Sequence, residues 1–146
     1  MSRATTILVA DDDADDRMLV KDAFEEASLN NEVHFVEDGE QLLAYLRREG
    51  DHAGKAGQPL PGLIMLDLNM PRMDGREALR EIKADPGLKH IPVVVLTTSE
   101  ADEDIIRTYG LGVNSFISKP VTLEGLVDVV RALNNYWLEI VTAMPE

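Results

Sequence analysis

Leu63-Ile64-Met65-Leu66-Asp67-Leu68-Asn69-Met70-Pro71 is the stretch on which the reading of this chain turns. Four large apolar residues in succession, preceded by Pro61-Gly62 and followed by a carboxylate, predict a strand buried on both faces that presents Asp67 at its carboxyl end. Taken alone, an Asp after an apolar run is also what a strand-ending turn uses. Three further strand ends give Asp67 its company.

Upstream, Thr5-Thr6-Ile7-Leu8-Val9-Ala10 is a short apolar run that ends in Asp11-Asp12-Asp13-Ala14-Asp15-Asp16, after which Val20, Phe24 and Ala27 recur at helical spacing. The pattern is strand, acidic turn, helix. Glu32 to Val36 reads as a second strand, with His34 at an alternate position, and Asp38-Gly39 leads into a helix carrying Leu42, Leu43 and Leu46. Gly50 to Gly62 is rich in glycine and proline and reads as a loop. Beyond the Asp67 strand, Asp74 with Glu77 is a candidate helix start. Ala78, Leu79 and Ile82 form the buried stripe, and Asp85-Pro86 ends that helix.

Ile91 to Leu96 is a fourth apolar strand ending in Thr97-Thr98-Ser99, with Pro92 at its start, where no ladder bond is lost. A weak helix around Ile105, Ile106 and Tyr109 follows, and Ser115 to Ser118 makes a fifth strand that delivers Lys119-Pro120. Thr122 is placed to cap a last helix. Strands alternating with helices predict an α/β fold, a doubly wound parallel sheet with helices on both faces. For the flavodoxin-like (βα)5 order 2-1-3-4-5, ligands bind outside the carboxyl ends of the first and third strands, where the strand order reverses. Those strands end in Asp11-Asp12 and in Asp67. The fourth and fifth add the Thr97 hydroxyl and the Lys119 ammonium to the same rim.

The bulk composition narrows the function. At 146 residues and 45% apolar content the chain fits a single domain, 1–146, with one sizeable core. Lys plus Arg number 14 against 27 Asp plus Glu, a net charge of −13 that repels nucleic acid and anionic membrane surfaces. No cysteine is present, so disulfides and thiolate zinc sites are ruled out. The lack of a signal peptide or a long apolar run favours the cytoplasm.

Three carboxylates converging at the ends of two strands would repel one another and need a cation. All-oxygen ligands with open coordination positions suit Mg²⁺, which retains waters and accepts phosphate oxygens. Beside such an ion Asp67 can attack a phosphoryl donor, with Thr97 and Lys119 neutralising the transferred group and an aspartyl phosphate as product.

In Asp11-Asp12, the Leu-Asp-Leu-Asn-Met-Pro segment around Asp67, Thr97 and Lys119-Pro120, the chain resembles the CheY-like receiver domains of response regulators over about residues 5–134. That resemblance implies phosphorylation of Asp67 by a histidine kinase. It implies Mg²⁺ ligation by Asp12, Asp67 and the Asn69 backbone carbonyl, with Asp11 acting through a bound water. It places Phe116 where the family carries its switch aromatic, and it implies a protein that catalyses only its own phosphorylation and dephosphorylation. Two departures stand out. Asp13 is a third consecutive acid that either crowds the metal or points to solvent. Thr98 stands where many receivers have Ala or Gly, and narrows access to the phosphoryl group.

From Thr122 to about Ala143, Leu123, Leu126, Val127, Val130, Leu133, Trp137, Ile140 and Val141 keep helical spacing for some 22 residues, roughly 33 Å at 1.5 Å per residue. A helix returning over a short strand needs less, so the extension over about 135–146 either projects past the sheet or folds back as core. The Tyr136-Trp137-Leu138-Glu139-Ile140-Val141 ending resembles the single-domain response regulators paired with bacterial and cyanobacterial phytochromes. This second likeness implies a bacteriophytochrome-type sensor kinase as partner and a homodimer formed through Tyr136, Trp137, Ile140 and Val141. Output is expected through the face of the fourth helix, fifth strand and fifth helix.

Competing chemistries fit less well. The Asp11, Asp13, Asp15 spacing suggests an EF-hand loop, but the sixth position is Asp16 rather than Gly and a strand precedes it. Flavin binding would need free amides where this chain places a run of carboxylates. Phosphotransfer through histidine needs a His on a helix face, which His34, His52 and His90 do not offer. The main alternative is a haloacid-dehalogenase-type phosphohydrolase with Asp11 as nucleophile and Asp13 as acid, which would need a further acidic strand after Lys119.

Overall fold

The computed structural model describes residues 6–28, 32–49, 60–68, 70, 72–73, 75–97, 115–118 and 122–133. The strands are β1 (Ile7–Ala10), β2 (Val33–Val36), β3 (Leu63–Asp67), β4 (Val93–Thr97) and β5 (Ser115–Ser118), and they form one parallel sheet in the order β2-β1-β3-β4-β5. The expected order is therefore observed. The helices are α1 (Ala14–Glu26), α2 (Gly39–Arg47), α3 (Gly75–Ala84) and a last helix, Leu123–Leu133. The helix expected near Ile105–Tyr109 and the C-terminal extension lie outside the described residues.

Two apolar layers explain why the central strands carry no polar face. Alternate residues of a strand point to opposite sides, and β1, β3 and β4 divide their side chains on that period. Leu8, Ala10, Ile64, Leu66, Val93 and Val95 pack with Leu42, Leu46, Leu79 and Ile82 of α2 and α3. Ile7, Val9, Leu63, Met65, Val94 and Leu96 pack with Val20 and Phe24 of α1 and with Leu126, Val127 and Val130 of the last helix. Every residue of β3 is buried, as a central strand between two helical layers must be. The second strand is one residue shorter than the sequence pattern suggests, starting at Val33, and as an edge strand it is only half-buried until Val36.

The helix starts follow local chemistry. Asp13, in extended conformation, caps α1 by accepting from the amides of Asp15 and Asp16 at 2.8 and 3.3 Å. Asp38 caps α2 by accepting from the Gln41 amide at 2.8 Å. Thr122 Oγ1 accepts from the Gly125 amide at 3.0 Å, the cap expected for the last helix. Of the two roles open to Asp13, the exposed one is observed, and it is occupied in starting the helix.

Candidate functional site

The sheet register sets the site. Ala10 pairs with Leu66 across β1 and β3, so the next residue on each strand, Asp11 and Asp67, emerges side by side at the carboxyl edge, where neighbouring strands are about 4.8 Å apart. This is the point of reversal between β1 and β3. The carboxylates of Asp11, Asp12 and Asp67 each offer an oxygen, and these oxygens all lie within 4.8 Å of one another. Asp11 is fully buried, Asp67 is 4% exposed and Asp12 faces solvent. For the buried pair, a separation no greater than that corresponds to at least about 3.5 kcal/mol of repulsion at an effective dielectric near 20. Acids are brought together here against their mutual charge.

Backbone and arginine contacts hold the trio. Asp11 Oδ1 accepts from the Asp13 amide at 2.9 Å, and the Asp11 amide donates to the Val36 carbonyl at 3.0 Å. Arg17 Nη1 donates to the Asp11 carbonyl oxygen at 2.8 Å. On the other side, the Gly75 amide donates to the Leu68 carbonyl at 2.9 Å, drawing the start of α3 onto the end of β3. A Cβ at Gly75 would lie 2.3 Å from the Asp67 carbonyl oxygen, so only glycine permits this approach.

Thr97 ends β4 and pairs with Ser118 of β5, while Asp67 pairs with Leu96. By register Thr97 therefore stands at the same edge, one strand over from Asp67, and Lys119 is the residue that follows Ser118. Phe116 lies in β5 opposite Val95. Asn69, Lys119 and the expected dimer residues Tyr136, Trp137, Ile140 and Val141 lie outside the described residues, as does Thr98. The hydrolase alternative loses ground at two places. A helix, Leu123–Leu133, follows β5 where an acidic strand would be needed, and Asp13 is engaged as the α1 cap.

Sequence reasoning passed over Arg17, Asp38, Arg72 and Gly75. Asp38 is 3% exposed, and Arg72, whose backbone takes a left-handed φ of 64°, reaches it with Nη1 at 3.3 Å from Oδ2. Nothing in spacing signals such loop-to-loop pairs. The Asp38-Gly39 dipeptide was the one legible hint, since a capping acid before a glycine marks a tight helix entry.

Comparison with known proteins agrees with this geometry. The chain is 41% identical over 136 residues to the response regulator Rcp1 of Synechocystis sp., covering 93% of this chain and 90% of that protein. Among solved structures, the phosphorylated cyanobacterial phytochrome response regulator RcpA superposes with a TM-score of 0.81 at 42% identity, covering 94% of this chain and 96% of that one. The Mn²⁺-bound form of Rcp1 gives 0.80 at 40% identity, with 97% and 99% covered. A family model, the response regulator receiver domain, matches residues 7–131. With the acids at the sheet's reversal point and the 2-1-3-4-5 order already in hand, that match settles the kinship: the chain belongs to the response regulator receiver domain family.

Proposed function

We propose that this chain is a two-component response regulator that accepts a phosphoryl group from a histidine kinase onto Asp67 in a Mg²⁺-dependent reaction. The observation that carries the reading is the gathering of Asp11, Asp12 and Asp67 within 4.8 Å at the carboxyl edge of β1 and β3. An octahedral Mg²⁺ with bonds of about 2.0–2.1 Å sets its oxygens roughly 3 to 4 Å apart. The donor set fits with a small contraction, or with Asp11 acting through a water while Asp12, Asp67 and the Asn69 carbonyl bind directly. A bound Mg²⁺ supplies positive charge to the acids and to the incoming phosphoryl oxygens.

The residues of the chain divide the remaining work. An Asp67 carboxylate oxygen attacks phosphorus, the new P–O bond forms as the P–N bond to the kinase histidine breaks, and the leaving imidazole takes up a proton. Asp11 and Asp12 fix the cation side of the pocket, and Thr97 and Lys119 meet the transferred oxygens from β4 and β5. The added group carries about −1.5 to −2 charge. Thr97 moves toward it and Phe116 follows, altering the face that partners read. The relatives named for phytochromes support a phytochrome-type sensor kinase as donor, and the Trp137 segment supports signalling as a homodimer.

The deciding experiment exposes the full chain to Mg²⁺ and a small phosphodonor such as phosphoramidate and follows intact mass. One phosphoryl group per chain is expected, lost in Asp67→Asn and prevented by chelation. Undiminished labelling of Asp67→Asn, or steady turnover of a phosphoester, would overturn the reading. Transfer from purified phytochrome kinases, set beside unrelated kinases, tests the partner. Light scattering on Trp137→Ala combined with Ile140→Ala tests the dimer, with a monomer expected.

A further inference from the structure

The turn Glu37-Asp38-Gly39 contributes none of the gathered carboxylates, yet it is bonded to the β1–α1 segment that carries Asp11 and Asp12 and to the β3–α3 loop that follows Asp67. On the β1–α1 side, Arg17 joins its Nη1 to the Asp11 carbonyl at 2.8 Å and its Nη2 to Glu37 at 3.2 Å. On the β3–α3 side, Arg72 Nη1 meets Asp38 Oδ2 at 3.3 Å, and the Gly39 amide donates to the Met73 carbonyl at 2.9 Å. The contact there is backbone to backbone, because a Cβ on Gly39 would fall 2.3 Å from the Met73 oxygen.

The two arginine links differ in kind. The Glu37 side chain is 60% exposed, so its ion pair is screened, whereas the Arg17 side chain is only 20% exposed and its bond to a buried carbonyl is directional. The Asp38 side chain is 4% exposed and divides its two oxygens between the α2 cap and Arg72. Arg72 holds a left-handed backbone that side chains disfavour, and from there its guanidinium reaches Asp38.

We propose that Glu37-Asp38-Gly39 is a positioning clamp, holding through Arg17 and Arg72 the segment that follows β1 and the loop that follows Asp67 at the spacing where Asp11, Asp12 and Asp67 meet. Arg17, Asp38 and Arg72 are positioning residues for the cation site, acting through the loops rather than by touching the ion. The inference rests on reading that trio as a divalent-cation site. Its physical content is a sign. Removing an arginine makes the neighbourhood more negative, so long-range electrostatics alone would tighten binding of Mg²⁺. Loss of positioning acts the other way.

The test is calorimetric titration of the metal-free full chain with MgCl₂, comparing wild type with Arg72→Gln, Arg17→Gln, Asp38→Asn and the Asp38→Asn/Arg72→Gln double variant. Asparagine at position 38 keeps a side-chain oxygen for the α2 cap, and the Arg72 side chain is 65% exposed, so Asp38→Asn and Arg72→Gln leave the core untouched, and circular dichroism of Arg17→Gln checks its fold. Both arginine variants are expected to bind Mg²⁺ more weakly, by roughly 3- to 10-fold, less than the roughly 10- to 100-fold contributed by residues bonded directly to metal ligands. The double variant should be no weaker than the weaker of its two parents. Affinity unchanged or increased in both arginine variants would overturn the clamp while leaving the cation site standing. Wild type that takes up no Mg²⁺ would overturn the cation site and the clamp with it.

Discussion

Gly75→Ala is the substitution that most directly probes how Asp67 is seated. Built on the observed backbone, the new Cβ stands 2.3 Å from the Asp67 carbonyl oxygen, 2.6 Å from the Leu68 Cα and 3.0 Å from the Asp67 carbonyl carbon, all of them backbone atoms. Ordinary contact begins at 3.4 Å, so the start of α3 and the end of β3 must part by about an ångström, with the 2.9 Å bond from the Gly75 amide to Leu68 stretched as they do. Overpacking of this kind typically costs about 1–3 kcal/mol, and the helix preference of alanine over glycine returns up to about 1 kcal/mol. A net loss of about 1–2 kcal/mol in urea unfolding of the metal-free protein is expected. Since displacement of a reacting group by about 1 Å can slow a reaction about 100-fold, phosphorylation by a small donor at saturating Mg²⁺ should fall by one to two orders of magnitude. A variant as stable as wild type and phosphorylated within a factor of two would refute the claim that this glycine seats Asp67. Lost stability with an unchanged rate would refute it too, by showing that α3 yields and Asp67 does not.

Further expectations follow from the charges and hydrogen bonds. Asp11→Asn keeps the acceptor for the Asp13 amide but removes one of two buried like charges, so metal-free stability should rise while the stabilisation by Mg²⁺ is largely lost; thermal denaturation with and without the ion checks both. Tyr45→Phe deletes the 2.9 Å bond between the phenol and His34 Nδ1 and should cost about 1 kcal/mol at neutral pH. Burial pushes the Tyr45 hydroxyl above its ordinary value of 10.0. Its contribution is therefore fully present below pH 10 and fades as pH rises through the folded-state value, so the gap between wild type and variant should narrow in alkaline solution.

What could be read from the amino-acid string was whatever a strand imposes on its neighbours. Apolar runs of four to six residues named β1, β3 and β4, and once they were parallel, the carboxyl-edge rule placed Asp11-Asp12, Asp67 and Thr97 at one edge without further information. The period-two division of β1, β3 and β4 between two helical layers then fixed the depth of each acid, since Asp11 and Asp67 each follow residues whose register is set by buried neighbours. Asp13 was ambiguous, because a third acid beyond a strand end serves a metal or a helix start equally well until the backbone direction is known. Arg17 and Arg72 left no trace in the sequence. Each is a single charged residue with no periodic partner, and its role arises from contacts spanning loops that only the assembled sheet brings together.

Two kinds of constraint thus meet at Asp67, and they are independent. Along the strands, position is set by hydrogen-bonded register and by side chains that have nowhere else to go. A slip of one residue would turn every apolar group of β3 to the wrong layer. Across the strands, beyond the last ladder bond, Leu68 and Met70 anchor the chain after β3 in the core, while the repulsion within the acidic trio pushes the strand ends apart. The remaining restraint there is polar and local: the Asp11 amide on Val36, Arg17 on the Asp11 carbonyl, Gly39 on Met73, Gly75 on Leu68. These contacts are individually worth about 1 kcal/mol, comparable in sum to the repulsion between the two buried acids alone. A site balanced in this way responds to small changes in charge, and binding a cation or gaining a phosphoryl group is a larger change than any single contact holding the loops.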